Sequence, residues 1–420
     1  MFVESESLLD RALKVIPNGT QTFSKSHTCY PRGVSPFYAK RGHGAMLWDV
    51  DDNKYIDFTS GLTAIILGYQ DADVDGAVFD YMQDSNVIYT LPHKLEIEVS
   101  EMLVDMIPCA EMVRFGKNGS DTTTGAIRLA RAYTGRDHIA HCGYHGWHDW
   151  SMSNTPRNLG IPQAVKDLTH TFKYNDIKSL EKLFDERPNQ FAAVIMEPMN
   201  REFPQDNFLH KCRELAHKNN ALFILDETIT GFRLAIGGAG EYFNIKPDLA
   251  TFGKGIANGY PLSAIVGKRE IMEYFNKVHF SFTNAGECLS LAAAKACLTK
   301  IKELDVPKRL NELGKPIPGG GHPAWRHLDI SSPRYIKYNE PTTDLNNPAT
   351  RIVEPTDVQR VSDKTLFMQE MHKRGILCLG TVNLNYAHTE QDVATLIQAL
   401  SEWEGAELEC QPLQTQFKIR

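Results

Sequence analysis

The first part of the chain contains one helical pattern followed by one hairpin pattern. Over residues 5–16, four apolar side chains recur at the spacing of a single helical face: Leu8, Leu9, Leu13 and Ile16. The Pro-Asn-Gly sequence at 17–19 then predicts the end of a short amphipathic helix. Further on, two β-rich runs, 45–50 and 55–58, flank a polar turn and predict a hairpin.

From about Lys94 the pattern changes to long helices that alternate with short apolar strands. We expect strands at Met112–Phe115, Ile139–His141, Ala192–Glu197, Leu222–Asp226, Leu249–Thr251 and Ser263–Val266. This alternation predicts an α/β fold with a mostly parallel central sheet covered by helices. Ligands of such folds bind at the carboxyl ends of the strands, so the chemistry is expected there.

The last part of the chain begins with a loop-like segment. Between about 314 and 355 proline, glycine and asparagine are frequent and periodicity is weak, which predicts long loops. After it we expect a helix at 365–374, a strand at 376–379 and a helix that continues through Leu400. Thr389 and Asp392 have the spacing of a capping box for this final helix.

Composition excludes several classes of protein. The 420 residues carry 45 Lys and Arg against 52 Asp and Glu, a formal charge of −7, so binding to nucleic acid or an anionic membrane is not indicated. No apolar run reaches membrane-spanning length, and the acidic start does not resemble a secretory signal, so we expect a cytoplasmic protein. The eight cysteines form no CxxC pair, which favours reduced thiols.

A possible phosphate site lies where the strand predicted at 112–115 leads into Gly119-Ser120-Asp121 and a helix. Glycine lets the backbone approach an anion, and the first-turn amides of a helix can bind phosphate together with a serine hydroxyl. A simple helix N-cap is an equally good interpretation of these residues taken alone.

Two further groups lie at strand ends. Asp226 and Glu227 end one apolar strand, and Lys254 follows another between Gly253 and Gly255. A desolvated lysine among small residues can act as an imine-forming nucleophile. A phosphate cradle, a strand-end carboxylate and such a lysine are the three parts that pyridoxal 5'-phosphate (PLP) requires, although each alone has a structural interpretation.

These residues belong to a longer series of ordered motifs. They are WDVDDNKYIDF from residue 48, RLARAYTGRD from 128, GYHGWHD from 143, MEP from 196, DETITGFR from 226, FGKG from 252 and AHTE from 387. The chain resembles the class III aminotransferases of the fold-type-I PLP enzymes, and most of all the glutamate-1-semialdehyde aminomutase branch.

The resemblance implies an architecture. A large PLP-binding domain would span 66–310, and a small α+β domain would be formed by both chain ends, 1–65 and 311–420. It also implies a homodimer with shared active sites, because this family builds its sites across a subunit interface.

The resemblance also assigns roles to individual residues. Lys254 would form the internal aldimine with PLP and then act as the general acid and base, and Asp226 would pair with the pyridine nitrogen. Gly119 and Ser120 would bind the phosphate. The other implied cofactor-binding residues are Asp121 beside that cradle, Tyr144 stacked on the ring, His145 near it, Glu197 on the substrate side, and Thr283 reaching the neighbouring subunit's phosphate.

Departures from the aminomutase pattern bear on the substrate. Lys25 occupies the place of an arginine that holds the substrate carboxylate, and Gly380 that of an active-site glutamate. The sequence around Thr283, SFTNAGE, resembles branches found among sugar-modifying aminotransferases. We therefore expect transfer of an amino group from a small-molecule donor to a carbonyl acceptor, with a sugar or keto-sugar as the favoured acceptor.

Other interpretations are an intramolecular aminomutase and a non-catalytic binding protein of the same fold. A metal site is a further alternative, since His141, His145, His148 and Asp149 are closely spaced. Gly143 and Gly146 interrupt any helix there and no HExxH pattern exists, so we expect no metal.

Overall fold

The computed structural model describes residues 2–330, 355–403, 406–410 and 413. Its helices are α1 Val3–Ala12, α2 Ala72–Asp84, α3 Lys94–Met106, α4 Gly119–Thr134, α5 Asp149–Met152, α6 Gln163–Lys166, α7 Ile177–Glu186, α8 Phe208–Lys218, α9 Ala239–Tyr242, α10 Arg269–Met272, α11 Cys288–Glu303, α12 Val306–Gly314, α13 Pro355–Lys373 and α14 Glu390–Glu402. Short 3-10 turns lie at Pro17–Gly19, Phe23–Lys25, His27–Cys29, Lys254–Ala257 and Glu273–Asn276.

The strands form three sheets. They are β1 Ala39–His43, β2 Met46–Asp49, β3 Lys54–Asp57, β4 Met112–Gly116, β5 His138–Cys142, β6 Thr169–Thr171, β7 Phe191–Met196, β8 Leu222–Asp226, β9 Leu249–Phe252, β10 Ser263–Gly267, β11 Gly320–His322, β12 Trp325–His327, β13 Ile376–Leu377 and β14 Thr381–Asn383. The largest sheet has the strand order β4-β10-β9-β8-β7-β5-β6.

The seven-stranded sheet confirms the mostly parallel arrangement that the sequence predicts. Each of its pairs is parallel except the two that involve β10, which runs antiparallel to both β4 and β9. All six strands predicted for this part of the chain are present, and β6, a three-residue polar strand, is an addition.

The central strands are buried along their whole length, and their side chains alternate between two apolar clusters. On β8, Phe223 and Leu225 belong to one cluster, and Leu222 and Ile224 belong to the other. The second cluster also contains buried side chains of α4. Since successive strand residues point to opposite faces, Asp226 continues the face that α4 covers, and the next residue along the chain continues the other.

The chain divides into two compact units. One contains Gly61–Glu312 and the seven-stranded sheet, and the other combines Met1–Ser60 with Leu313–Lys418. In the second unit one sheet has the order β1-β2-β3-β13, and β2 and β3 form the antiparallel pair of the predicted hairpin.

Helix and loop predictions in the second unit need some correction. Helix α1 begins and ends earlier than the predicted range 5–16. The loop-like segment from 314 contains a short antiparallel pair, β11 and β12, which the prediction missed, while residues 331–354 lie outside the described part of the chain. The capping box is confirmed, since the Asp392 amide donates to Thr389 Oγ1 and the Thr389 amide donates to the Asp392 carboxylate.

No helix in the described part of the chain is long and apolar enough to cross a membrane.

Candidate active site

The predicted site residues follow strands that end at one edge of the seven-stranded sheet. Strands β5, β7, β8 and β9 are parallel, and β4 shares their direction because two antiparallel steps through β10 restore it. At this edge lie Gly119, Ser120 and Asp121 after β4, Tyr144 and His145 after β5, Glu197 after β7, Asp226 at the end of β8, and Lys254 after β9.

Asp226 is a buried carboxylate that accepts several hydrogen bonds. Its Oδ1 accepts hydrogen bonds from the Thr228 amide (3.1 Å), from Thr228 Oγ1 (2.5 Å) and from Thr251 Oγ1 (3.1 Å). Its Oδ2 lies 2.8 Å from Nδ1 of His145. Burial acts to raise the pKa of Asp226, but the bonds from His145 and Thr228 outweigh it, so the pKa lies below its ordinary value.

His145 is buried and lies next to the carboxylate of Asp226. Its Nε2 lies 3.2 Å from the carbonyl oxygen of Cys142, and its ring stacks on Trp150 with centroids 5.9 Å apart. Both ring nitrogens thus face an oxygen atom that can accept a hydrogen bond. The structure therefore gives His145 a direct contact with the carboxylate that the sequence assigns to the cofactor.

Thr228 joins three motifs that are distant in sequence. Besides its bonds to Asp226, its Cγ2 lies 3.0 Å from the place of a Cβ on Gly119 and 3.3 Å from that of a Cβ on Gly253. The same position on Gly253 is 4.0 Å from Cα of Gly119. The phosphate turn, the carboxylate and the lysine turn therefore meet around one threonine, which sequence reasoning did not select.

The turn before α4 has the form of an anion cradle. The carboxylate of Asp121 accepts the amides of Lys117 (3.1 Å) and Asn118 (2.7 Å), so it caps the helix, and the side chain of Ser120 is buried. Oγ of Ser120 accepts the Trp147 amide at 3.2 Å, which fastens the 143–148 loop to the cradle. The first turn of a 16-residue helix thus begins at Gly119, where its amides favour an anion.

Lys254 begins the 3-10 turn that follows β9. Its backbone has a φ of +45°, in the left-handed region, and its side chain is half-buried. Gly253 precedes it with an extended φ of −169°, and a Cβ there would lie 3.3 Å from Cγ2 of Thr228. The turn that carries Lys254 thus lies next to Thr228 and the Gly119 turn, and the backbone of Lys254 is strained.

Glu197 organises the loop that carries Tyr144. Its Oε2 accepts the Tyr144 amide (3.1 Å) and Nδ2 of Asn200 (2.9 Å). Gly143, at a φ of +107°, has no room for a side chain, because a Cβ would lie 2.5 Å from the same oxygen. Glu197 is buried and Tyr144 is half-buried at the same sheet edge.

Three residues selected from the sequence belong to other elements of the chain. Lys25 and Gly380 belong to the other compact unit, where Lys25 is exposed at the end of a 3-10 turn. Gly380 has a φ of +95°, a conformation that L side chains rarely adopt. Thr283 is exposed in the turn before α11.

The closely spaced histidines have separate partners. Nε2 of His141 lies 3.0 Å from Thr171 Oγ1, and Nδ1 of His148 lies 2.7 Å from Thr124 Oγ1, whereas His145 bonds to Asp226. Among the residues that the structure describes, no group of three or more His, Cys, Asp or Glu could hold a metal ion.

Comparison with known proteins agrees with this geometry. Residues 29–320 match the family described as aminotransferase class-III. The 3-aminobutyryl-CoA aminotransferase of Cloacimonas acidaminovorans is 32% identical over 423 residues, which cover 96% of this chain and 96% of that protein. A glutamate-1-semialdehyde 2,1-aminomutase of Francisella philomiragia is 37% identical and covers 78% of this chain and 80% of its own.

Solved structures show the same fold. The PLP internal aldimine form of the FumI protein of Sphingopyxis superposes with a TM-score of 0.85 at 25% identity, covering 98% of this chain and 99% of its own. An omega-transaminase of Sphaerobacter thermophilus gives a TM-score of 0.80 at 27% identity, with 96% and 97% covered.

Proposed function

The chain belongs to the class III aminotransferase family, and on that premise we propose that it moves an amino group between two molecules. It is a PLP-dependent aminotransferase, as its relatives and its solved neighbours indicate. The proposal adds that the acceptor carbonyl belongs to a separate molecule. The meeting of the Gly119 cradle, Asp226 and the Gly253–Lys254 turn around Thr228 supports the PLP chemistry, and the residues at positions 25 and 380 support a separate acceptor.

The residues present fit PLP. The amides and the hydroxyl of Gly119 and Ser120 would hold its phosphate, and Asp226 would accept a hydrogen bond from its protonated ring nitrogen. A Cβ at Gly119 would lie 3.0 Å from Cγ2 of Thr228, so the cradle leaves little room for a side chain there. Bound PLP supplies an aldehyde that takes up the amino group and a ring that stabilises negative charge on the reacting carbon.

The mechanism gives each protein group a distinct task. Lys254 Nζ would hold the cofactor through its aldehyde and, once the donor amine takes that place, would act as the general acid and base that holds and moves a proton. Asp226, as a carboxylate, would keep the ring nitrogen in its protonated form. His145 fixes the orientation of Asp226 from behind.

Two positions support transfer between molecules over an internal aminomutase reaction. Gly380 stands where the resemblance expects a glutamate, and its positive φ makes any side chain there strained. Lys25 keeps the charge of the expected arginine but lacks the two-pronged geometry that binds a carboxylate.

Nitrogen tracing tests the proposal. With 15N-labelled glutamate and a panel of carbonyl acceptors, we expect the label to reach a second molecule with wild-type enzyme. Retention of the label within one carbon skeleton would support the aminomutase instead. K254A is expected to lose all transfer, and borohydride should attach PLP to Lys254 in wild type but not in K254A, as read by peptide mass spectrometry.

For the acceptor we propose a sugar or keto-sugar carbonyl. The support is the resemblance of the SFTNAGE sequence around Thr283 to sugar-modifying branches. The relative from Cloacimonas is named for 3-aminobutyryl-CoA, so acyl thioesters form the comparison panel. We expect kcat/KM for keto-sugars to be at least about tenfold higher than for 3-oxoacyl thioesters. The reverse order would reject the proposal of a sugar acceptor.

We also infer a homodimer. Apolar side chains on α2, on α3 and between them are unusually exposed: Phe79 66%, Met82 56%, Leu91 77% and Ile97 62%. Both helices pack against α11, which follows the exposed turn of Thr283. An apolar surface of this kind is typical of a protein interface, and it would bring Thr283 to a second copy.

Light scattering tests the dimer. Wild type should have twice the chain mass of 47.3 kDa, whereas F79E should shift towards the monomer. L159E is a matched control, because Leu159 is 99% exposed and lies far along the chain from α2 and α3. A monomeric wild type at micromolar concentration with full PLP content would contradict the inference.

A further inference from the structure

The two carboxylate oxygens of Asp226 are unequally occupied. A carboxylate offers about four lone-pair sites, two on each oxygen. Oδ1 already accepts three donors, two from Thr228 and one from Thr251, while Oδ2 has a single partner, His145, among the residues that the structure describes. Oδ2 therefore retains the capacity to accept one further proton donor, and Oδ1 does not.

We propose that Thr228 is a positioning residue whose hydroxyl and methyl group have separate functions. The hydroxyl saturates Oδ1 of Asp226 and so assigns Oδ2 to the ring nitrogen of PLP. The methyl group sets the spacing between the phosphate turn and the lysine turn. This inference rests on the proposed function, because it concerns the same cofactor site.

The hydroxyl function follows from the geometry of two bonds. The amide and Oγ1 of Thr228 both donate to Oδ1 of Asp226, so one residue, two positions further along the chain, holds that oxygen by two hydrogen bonds. Rotation of the carboxylate would break both bonds together with that from Thr251. A hydroxyl donor also favours the ionised form of Asp226. The other titratable groups of the site that bear on this ionisation are His145, Glu227 and Lys254.

The methyl function follows from the two glycine contacts. Cγ2 of Thr228 is within 3.0 Å of where a Cβ of Gly119 would lie and within 3.3 Å of that of Gly253. Cγ2 therefore fills the space between two turns that approach each other closely. β-Branched side chains have restricted rotamers, so the methyl group is a rigid spacer.

A matched pair of variants separates the two functions. T228V keeps the branched shape and removes the hydroxyl, and T228S keeps the hydroxyl and removes the methyl group. We expect T228V to bind PLP within about threefold of wild type but to lose roughly 10- to 100-fold in kcat. For T228S we expect kcat within about threefold and a cofactor dissociation constant raised about fivefold.

Spectroscopy and pH dependence distinguish positioning from mere structural support. Without the hydroxyl the pKa of Asp226 rises, so in T228V the acid limb of kcat/KM should move to higher pH, together with the pH dependence of the absorbance of bound PLP. T228S should match wild type in both measurements.

T230V is the control. Oγ1 of Thr230 donates to Glu227 Oε2 at 2.6 Å, which is the same kind of bond on the neighbouring carboxylate. T230V should lower the melting temperature without moving the pH limb or the absorbance. The inference is overturned if T228V leaves the pH profile unchanged, or if T228V, T228S and T230V lose stability and activity in parallel. Failure of wild type to bind PLP would reject the proposed function instead.

Discussion

Asp226 and Glu227 are neighbours in sequence and nearly equally buried, at 4% and 2% exposed, yet their surroundings differ. Asp226 contacts His145 and two threonine hydroxyls at the strand edge. Glu227 accepts one hydroxyl, that of Thr230 (2.6 Å), and two amides, those of Ala239 (2.8 Å) and Gly240 (2.6 Å). The first carboxylate thus joins the site, and the second holds the start of α9.

The difference appears in the acidity of the two groups. The pKa of Asp226 is lowered, because the bonds from His145 and Thr228 outweigh the effect of burial. Burial raises the pKa of Glu227 to about 7, and the negative charge of Asp226 adds to this. Alternation along β8 explains the separation, since consecutive residues continue onto opposite faces of the sheet. Chemical role is therefore decided by the partners of a carboxylate more than by its sequence position.

The largest expected effect comes from neutralising the two carboxylates separately. D226N should lower kcat by roughly 100- to 1,000-fold, since a buried group that stabilises charge at the reacting centre is removed. E227Q should keep kcat within about tenfold and lower the melting temperature instead. We would compare the two variants by steady-state kinetics and thermal unfolding, after measuring the PLP content of each.

Equal losses of kcat in D226N and E227Q, at equal cofactor content, would show that the two carboxylates share one function. The contrast between the site and the α9 contact would then be incorrect.

The second effect concerns stability and pH. Because the folded pKa of Glu227 is raised from 4.5 to about 7, the folded state binds its proton more tightly. The stabilisation is complete below about pH 4.5 and is lost as the pH rises towards 7, by up to about 3 kcal/mol. Chemical denaturation of wild type and E227Q between pH 4.5 and 8 should show a flatter profile for E227Q.

Buried histidines have the opposite effect on the pH dependence of stability, so their contribution must be subtracted from that of Glu227. Burial lowers the pKa of His141 and of His372 to about 3 each. They therefore contribute stability that is lost as the pH falls below about 6.5. The difference between wild type and E227Q cancels their contribution, and identical slopes in the two proteins would refute the role given to Glu227.

The smallest effect uses one glycine on each side of the comparison. A Cβ on Gly146, at a φ of +103°, would overlap Ser120, and one on Gly238, at +87°, would lie 2.8 Å from Glu227 Oε2. Both alanine variants should lose about 1–2 kcal/mol of stability from the left-handed backbone. Only G146A should also weaken PLP binding, by about tenfold, as measured by fluorescence titration of the apoenzyme.

Comparable cofactor affinities in G146A and G238A would contradict the assignment of the Ser120 side to phosphate binding.

Much of the fold could be predicted from the sequence because its central strands are continuous apolar runs. β8 was predicted with its observed ends, and Asp226 and Lys254 were found because each follows such a run. In contrast, β6 consists of Thr169–Thr171, which is too short and too polar to show a period. The antiparallel direction of β10 left no signal either, since a buried strand reads the same in both directions.

The site could be predicted only in part. Residue types that carry chemistry, such as a lysine or a carboxylate at a strand end, are visible in a sequence. Thr228 is not visible in this way, because its importance lies in contacts with Gly119 and Gly253, over a hundred and about two dozen residues away in the chain. The partner of His145 likewise became clear only in three dimensions.

The left-handed backbone of Lys254 makes a lysine at this position costly for folding. Glycine or asparagine suits that conformation, and another residue costs roughly 1 kcal/mol more there. In a descendant that had lost the reaction, drift towards glycine or asparagine at this position would be favoured by folding itself. Folding alone therefore does not favour a lysine at this position, whereas the role proposed for it requires one.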